Sequence, residues 1–461
     1  MRILFVNQYY WPDIASTGQH LTDLAEHLAA TGHAVRVVCS RGEYLAGKGM
    51  APAREVQRGV EILRVRGTRF GQRRGISARI LDYAAFHVAV AHRVALGRWA
   101  DVVVTLTTPP LVGLWGALAQ RLGRARGTKH VAWFMDLHPE AEFELGLVRP
   151  ASALGRILRM LAGLETRFAS RAVALGPYQA QRIAARGLAP QRIAQIPVWS
   201  SKDEVAPCAP ADNPLRAQYG WQGRFVVLYS GNAGLMHRFD EILDAAQIVA
   251  ARAPDVLFAF VGGGPRRAEI EREVARRGLG NVEFRGYVPR AALRHALPAG
   301  DVHFVSLEPN QTGVAVPGKL YGILAAGRPV LFVGAEHCET ADTLREHACG
   351  FGFKPGEGAG LARAILELRA DRELRERLST NARRAFLAHF ERDVCAAAWE
   401  RLLRAVHGAP APGAGTPPER LRLPRERRTR VLESVAPALP NPRNASRLPE
   451  PNAPTPGARV D

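Results

Sequence analysis

Short apolar runs alternate with longer amphipathic stretches from the first residues of the chain: 3–6, then 21–31, then 35–39, 60–65 and 78–96. The short runs suit buried strands, while the longer ones repeat apolar residues at helical spacing. The rhythm continues through 102–106, a helix over 111–122, and a strand over 129–135 that ends in Asp136-Leu-His-Pro-Glu140. Alternation of this kind predicts a mostly parallel sheet covered by helices on both faces. A second array begins with a strand over 225–229, the loop Gly231-Asn-Ala-Gly234 and a helix over 239–251. A strand over 256–261, the loop Gly262-Gly-Gly-Pro265 and a helix over 266–277 follow, with Pro265 read as the first helical residue. Further units run through 282–284, 302–306 and 330–333, then two helices up to about His389.

Between the arrays lie Pro207, Pro210 and Pro214, breaker residues that mark a linker. The expected organisation is a Rossmann-like domain over 1–200 and a second over 201–392, facing each other across a cleft. A helix over 393–408 carries Trp399 and Leu402 on one face and needs a partner, which packing back on the first domain supplies. Residues 409–461 are rich in Pro, Ala, Gly and Arg without apolar periodicity, and are expected to form a disordered basic tail.

Charge adds one constraint. The 461 residues carry 62 Lys and Arg against 43 Asp and Glu, a net +19 that attracts nucleic acid, anionic lipid or phosphorylated substrates without choosing among them. A nucleic-acid binder accounts for the charge but not for two successive strand–helix arrays, so no nucleic-acid partner is expected. Cys39, Cys208, Cys338, Cys349 and Cys395 are scattered singly, which gives neither a disulfide framework nor a zinc site. The opening residues read as a strand rather than an export signal, so the expected location is cytoplasmic. The stretch 76–97 is interrupted by Arg79, Asp82, His87, His92 and Arg93 and cannot span a bilayer. Together with the arginine-bearing amphipathic stretch 147–171, it is expected to attach peripherally to the anionic inner face of the cytoplasmic membrane.

Candidate chemistry falls in loops after strand ends, where open α/β sheets bind ligands. Gly231-Asn-Ala-Gly-Leu-Met-His237-Arg238 combines glycines that admit a close backbone approach with two basic side chains; the alternative is a plain turn with a solvated arginine. Gly313-Val-Ala-Val-Pro-Gly318-Lys319 opens a helix, placing an ammonium beside unpaired N–H groups; a surface lysine at a helix start is the alternative. Gly262-Gly-Gly lacks dinucleotide-fingerprint spacing, which argues against an oxidoreductase. Ser16-Thr-Gly18-Gln19 is either a phosphate-facing loop or a simple turn. Asp136, His138 and Glu140 end one strand together, in a pattern that fits sugar-hydroxyl recognition, acid–base chemistry, or mere capping and salt bridges.

In order and spacing, Ile3-Leu-Phe-Val-Asn7, Gly32-His-Ala-Val, Asp136-Leu-His-Pro-Glu140, Tyr229-Ser-Gly-Asn-Ala-Gly234, Phe260-Val-Gly-Gly-Gly-Pro265, Val282-Glu-Phe-Arg-Gly-Tyr-Val288 and Val316-Pro-Gly-Lys-Leu-Tyr-Gly-Ile-Leu-Ala-Ala-Gly-Arg-Pro329 resemble the GT-B, family 4-type glycosyltransferases. The resemblance covers 1–406 and is strongest to the branch that builds O-antigen, colanic acid and related polysaccharides. It implies that the second domain binds a nucleotide diphosphate sugar, UDP-sugar favoured, and that the first binds a lipid-linked glycan acceptor. It also implies retention of configuration, no metal and no further cofactor. The donor residues it implies are Gly18, Gly231, Asn232, His237, Arg238, Gly263, Tyr287, Pro317, Gly318 and Lys319; His138 and Glu140 would meet the acceptor, with Asp136 and Lys319 catalytic. Asn232 and His237 stand where the family usually has Arg and Lys, Val314 and Gly322 where it has a pair of glutamates, and Asp136 where it has a histidine. The runner-up activity is a sugar-nucleotide epimerase on the same fold, which would release nucleotide without an external acceptor.

Overall fold

The computed structural model describes residues 1–13, 15–41, 51–66 and 76–408. Strands β1 (Arg2–Val6), β2 (Ala34–Ser40), β3 (Arg54–Gln57), β4 (Val60–Val65), β5 (Val102–Thr105), β6 (Lys129–Trp133), β7 (Arg171–Ala174) and β8 (Ile193–Gln195) form the first sheet, ordered β3-β4-β2-β1-β5-β6-β7-β8. Only the β3–β4 pair is antiparallel. Strands β9 (Phe225–Ser230), β10 (Val256–Val261), β11 (Val282–Arg285), β12 (Val302–Ser306), β13 (Val330–Val333) and β14 (Gly350–Phe353) form a second, fully parallel sheet ordered β11-β10-β9-β12-β13-β14. Chain order reverses between β1 and β5 in one sheet and between β9 and β12 in the other. At such points the loops leave in opposite directions and open a crevice beyond the carboxyl ends of the strands.

Helices of the first domain are α1 (Ser16–Ala30), α2 (Ile76–Ala95), α3 (Gly113–Leu122), α4 (Glu140–Glu144), α5 (Ala153–Phe168) and α6 (Pro177–Ala185). Those of the second are α7 (Pro214–Tyr219), α8 (Asp240–Ala250), α9 (Arg267–Arg277), α10 (Leu293–Ala296), α11 (Lys319–Ala325), α12 (Glu339–His347), α13 (Gly358–Ala370) and α14 (Arg372–Ala385), before α15 (Arg392–His407). The central strands are buried on both faces, as β5 and β10 show along their whole length, because helices cover each side. The strands absent from the periodicity are β3, a polar Arg-Glu-Val-Gln edge, and the short β8 and β14, the last built on Gly350-Phe-Gly-Phe. Pro265 is not helical: Gly264, with φ +124°, breaks the backbone just before it, and α9 begins at Arg267.

Helix α15 returns to the first domain. Trp399 is fully buried against Trp133 at 4.5 Å between ring centroids, and Trp133 stacks in turn on Trp199 at 5.9 Å. Glu400 meets His33 Nε2 at 3.1 Å, and the Trp199 indole donates to Asp23 of α1 at 3.1 Å. Where the chain crosses between domains, the outgoing and returning strands are bonded to each other: Ser200 N donates to Phe390 O at 3.1 Å and Arg392 N to Ser200 O at 2.9 Å. The expected tail over 409–461 lies outside the described residues. Removing the fully buried Trp399 ring at the end of this stack leaves a cavity that rigid strands on one side cannot fill. Trp399→Ala is therefore expected to cost about 3–5 kcal/mol of unfolding free energy, measured by denaturant titration.

Candidate active site

In the second domain the β9–β12 crevice is built from glycine contacts. Gly231 leaves β9 with φ +123°, a conformation closed to side chains, and a Cβ there would sit 3.9 Å from Lys319 Cε. Gly262, φ +136°, leaves β10 with its Cα face against the Gly231 carbonyl, so the two loops pack backbone to backbone. Lys319, at the start of α11, reaches across to this turn. Its ammonium donates to the Tyr229 hydroxyl at 2.6 Å and lies 3.8 Å from the centre of that ring. The Tyr229 hydroxyl donates onward to the Asn232 carbonyl at 2.8 Å. Among the described residues no carboxylate pairs with Lys319, and burial pushes its pKa down to about 7.

His237 closes the same crevice. Its Nδ1 lies 2.5 Å from the Ser306 carbonyl at the end of β12; since a carbonyl only accepts, Nδ1 carries the proton. Burial, and then repulsion from Lys319, push its pKa down to about 3, so the ring is neutral and Nε2 is left with a lone pair. Asn232 accepts from the Tyr287 hydroxyl through Oδ1 at 3.2 Å, and the Tyr287 ring lies across the bare face of Gly263, where a Cβ would come within 2.8 Å. Pro317 and Gly318 form the turn into α11, with Leu320 N donating to Pro317 O at 3.0 Å. Thus Gly231, Asn232, His237, Gly263, Tyr287 and Lys319 converge.

Arg238 does not join them. Its Nη2 donates to Glu241 at 2.8 Å and its Nη1 to Glu308 at 3.0 Å, bonds that hold its pKa above the usual arginine value. With both carboxylates engaged, the guanidinium ties the start of α8 to the loop after β12 instead of facing the crevice. Gly18 also has a packing role: it lies buried in the first turn of α1, where a Cβ would be 3.2 Å from the Tyr9 carbonyl.

In the first domain, Asp136 and His138 follow β6. Burial raises the Asp136 pKa, and the nearby Glu142 carboxylate adds to the rise. Burial opposes charge on His138, but its Nδ1 lies 2.7 Å from Glu142 Oε1 and that pairing carries its pKa above the ordinary value. The partner carboxylate, held below its usual range by the same bond despite burial, escaped the sequence reading although it lies one helical turn beyond His138. Glu140 is paired with Arg186, whose Nε donates to it at 2.9 Å and whose Nη2 donates to the His138 carbonyl at 2.7 Å. It braces the loop and does not stand free beside His138.

The two halves are joined at this loop. Leu137 N donates to Val314 O at 2.9 Å, Arg182 Nε to Thr312 O at 2.8 Å, and Asn310 Nδ2 to Glu144 O at 3.0 Å. The segment leading to Lys319 is therefore docked on the segment carrying Asp136 and His138. Local packing accounts for two residues noted in the sequence. Val314 is fully buried in an apolar cluster with Phe134 and Leu137, and a Cβ on Gly322 would come within 3.0 Å of Leu297, so a glutamate at either place would meet apolar packing.

Comparison with known proteins agrees with this architecture. The family model described as Glycosyl transferase 4-like domain matches residues 17–199, and that described as Glycosyl transferases group 1 matches residues 212–385. The chain belongs to this family of two-domain, GT-B-fold glycosyltransferases. It is 29% identical to the Pseudomonas aeruginosa protein WbjE, named as a glycosyltransferase, over 63% of this chain and 71% of that one. It is 25% identical to WcaI of Escherichia coli K12, whose name assigns it to colanic acid biosynthesis, over 74% and 84%. Among solved structures, Anabaena HepE in complex with UDP-glucose superposes with a TM-score of 0.63 at 18% identity, covering 88% of this chain and all of that one. WaaG, a glycosyltransferase involved in lipopolysaccharide biosynthesis, gives 0.63 at 17% with the same coverage. The epimerase alternative is not favoured by these matches.

The His138–Glu142 pairing yields a sign that can be checked. With Glu142 present, the imidazolium is favoured and its charge is lost only as pH rises through a pKa above 6.5. In Glu142→Gln the largest raising influence is gone while burial remains, and the His138 midpoint in an NMR titration is expected to fall below its wild-type position.

Proposed function

We propose that this glycosyltransferase moves a sugar from a nucleotide diphosphate donor, UDP-sugar favoured, held in the β9–β12 crevice, to a lipid-linked glycan held by the first domain, in the building of a cell-surface polysaccharide. The observation that carries the reading is the Lys319 ammonium, held beside the open backbone of Gly231 with a neutral phenol as its hydrogen-bond partner. A half-buried cation without a counter-charge is costly, and a diphosphate bridging Lys319 and the Gly231–Asn232 backbone removes that cost. As the bond from the sugar to the diphosphate breaks, charge grows on the leaving oxygen, and a cation already in place stabilises it without rearrangement. In this reading transfer needs no metal and retains configuration. Asp136 and His138 orient the acceptor hydroxyl, and the hexosyl or N-acetylhexosaminyl nature of the donor is set elsewhere in the cleft.

The lipid-linked acceptor requires the protein to work at a bilayer. No helix among the described residues is long and apolar enough to cross one. Helix α5 instead exposes Leu154, Ile157 and Met160, each more than half accessible, and buries only small or polar residues such as Gly155, Ala162 and Thr166. Exposed Arg156 and Arg159 lie along it, and α2 exposes Ile80, Leu81 and Val88. This combination of apolar and basic surface fits the anionic inner face of the cytoplasmic membrane. Ile157→Asp with Met160→Asp is expected to abolish co-sedimentation with vesicles containing anionic lipid while leaving nucleotide-sugar binding unchanged.

For the donor site, Lys319→Met is expected to lower turnover about 100-fold, roughly 3 kcal/mol of transition-state stabilisation. Donor affinity in the wild type is expected to be flat below pH 7 and to weaken as pH rises above it, because the anion selects the protonated lysine; in Lys319→Met it is expected to be flat throughout. Calorimetric titration with nucleotide sugars between pH 6 and 9 checks this. Unchanged turnover together with an unchanged pH profile would remove Lys319 from the site.

A further inference from the structure

Lys319 has four rotatable bonds and a single hydrogen-bonding partner within the described residues, so what fixes its ammonium is the orientation of that partner. Tyr229 is 2% exposed, and its ring is wedged edge-on against Phe239 at 5.1 Å and tilted against Phe260 at 5.7 Å between centroids. The ring cannot turn aside. Its hydroxyl has one proton, which it donates to the Asn232 carbonyl, leaving its lone pairs for Lys319. The direction of the hydroxyl is thus set by the loop after β9, and the lysine from α11 is aimed by the hydroxyl.

We propose that Tyr229 is a positioning residue of the donor site, which parks the Lys319 ammonium over the Gly231–Asn232 turn so that a diphosphate meets it already in place. The proposal rests on the reading of this crevice as the donor site. The ring face contributes as well, because an ammonium 3.8 Å from its centre is attracted by the π density, an attraction that phenylalanine retains. The hydroxyl alone supplies the hydrogen bond. Other ionisable groups facing the pair are His237, Arg266 and Tyr287; neutral His237 and permanently charged Arg266 do not change charge between pH 6 and 9. A decline in that interval that Lys319→Met abolishes therefore reports Lys319. Burial of the Tyr229 hydroxyl raises its own pKa far above the same interval.

Tyr229→Phe keeps the ring and removes only the hydroxyl, so it separates aiming from packing. The test measures binding of UDP-glucose, UDP-N-acetylglucosamine and GDP-mannose from pH 6 to 9 by calorimetry. Wild type, Tyr229→Phe, Lys319→Met and the double variant are compared, with turnover for whichever donor is used. Tyr229→Phe is expected to weaken binding of the best donor about tenfold and to move the onset of the alkaline decline to lower pH, since the ammonium has lost an acceptor. Added to Lys319→Met, it is expected to change affinity by less than about twofold. An unchanged profile in Tyr229→Phe, or an equal loss in the Lys319→Met background, would overturn the positioning role while leaving the donor site standing. Failure of the wild type to bind any of the three donors would overturn the donor site, and the proposal with it.

Discussion

A lysine ammonium drawn out of water and given a phenol instead of a carboxylate is a charge the fold leaves uncompensated, and the architecture around it is what keeps it so. Backbone from β9 and β10 packs closely enough to exclude any side chain from the turn, and only glycine permits that approach. Arg238 is occupied: it spans Glu241 and Glu308, so these two carboxylates are engaged elsewhere. The crevice therefore holds net positive potential at a point where the ends of parallel strands already leave backbone groups without partners.

Much of this was legible in the residues. The strand–helix alternation gave two parallel sheets because their central strands are buried on both faces and read as unbroken apolar runs. The edge strands were not legible, since β3 is polar and β14 half glycine. The loop glycines and Lys319 stood out by type and place. Their partners did not, because a hydrogen bond between residues ninety positions apart, such as that from Lys319 to Tyr229, leaves no periodic trace. Arg238 shows the converse limit: adjacency to His237 in sequence says nothing of partners, and in the structure the guanidinium pairs with Glu241 and Glu308. The pairing of Glu140 with Arg186 was invisible along the chain for the same reason.

The first domain follows a different logic. Asp136, His138 and Glu142 are coupled ionisable groups behind a loop that the second domain grips through Leu137 and Val314. Their mutual influence makes the charge of the cluster depend on all three together. Because the gripping segment continues directly into Lys319, displacement of the Asp136 loop and displacement of the cation are mechanically linked.

The paired crossings at Ser200 and Arg392 have a mechanical consequence. Two domains joined by one strand can swivel, twist and translate; joined by two strands that hydrogen-bond to each other, they share a short common edge. Twisting about the long axis would shear those bonds, whereas folding along the edge leaves them intact. The easy motion is therefore that of a book about its spine, a single angular coordinate. Opening along that coordinate has to part the bonds of Leu137 with Val314 and of Asn310 with Glu144, so those contacts are the clasp that holds the book shut.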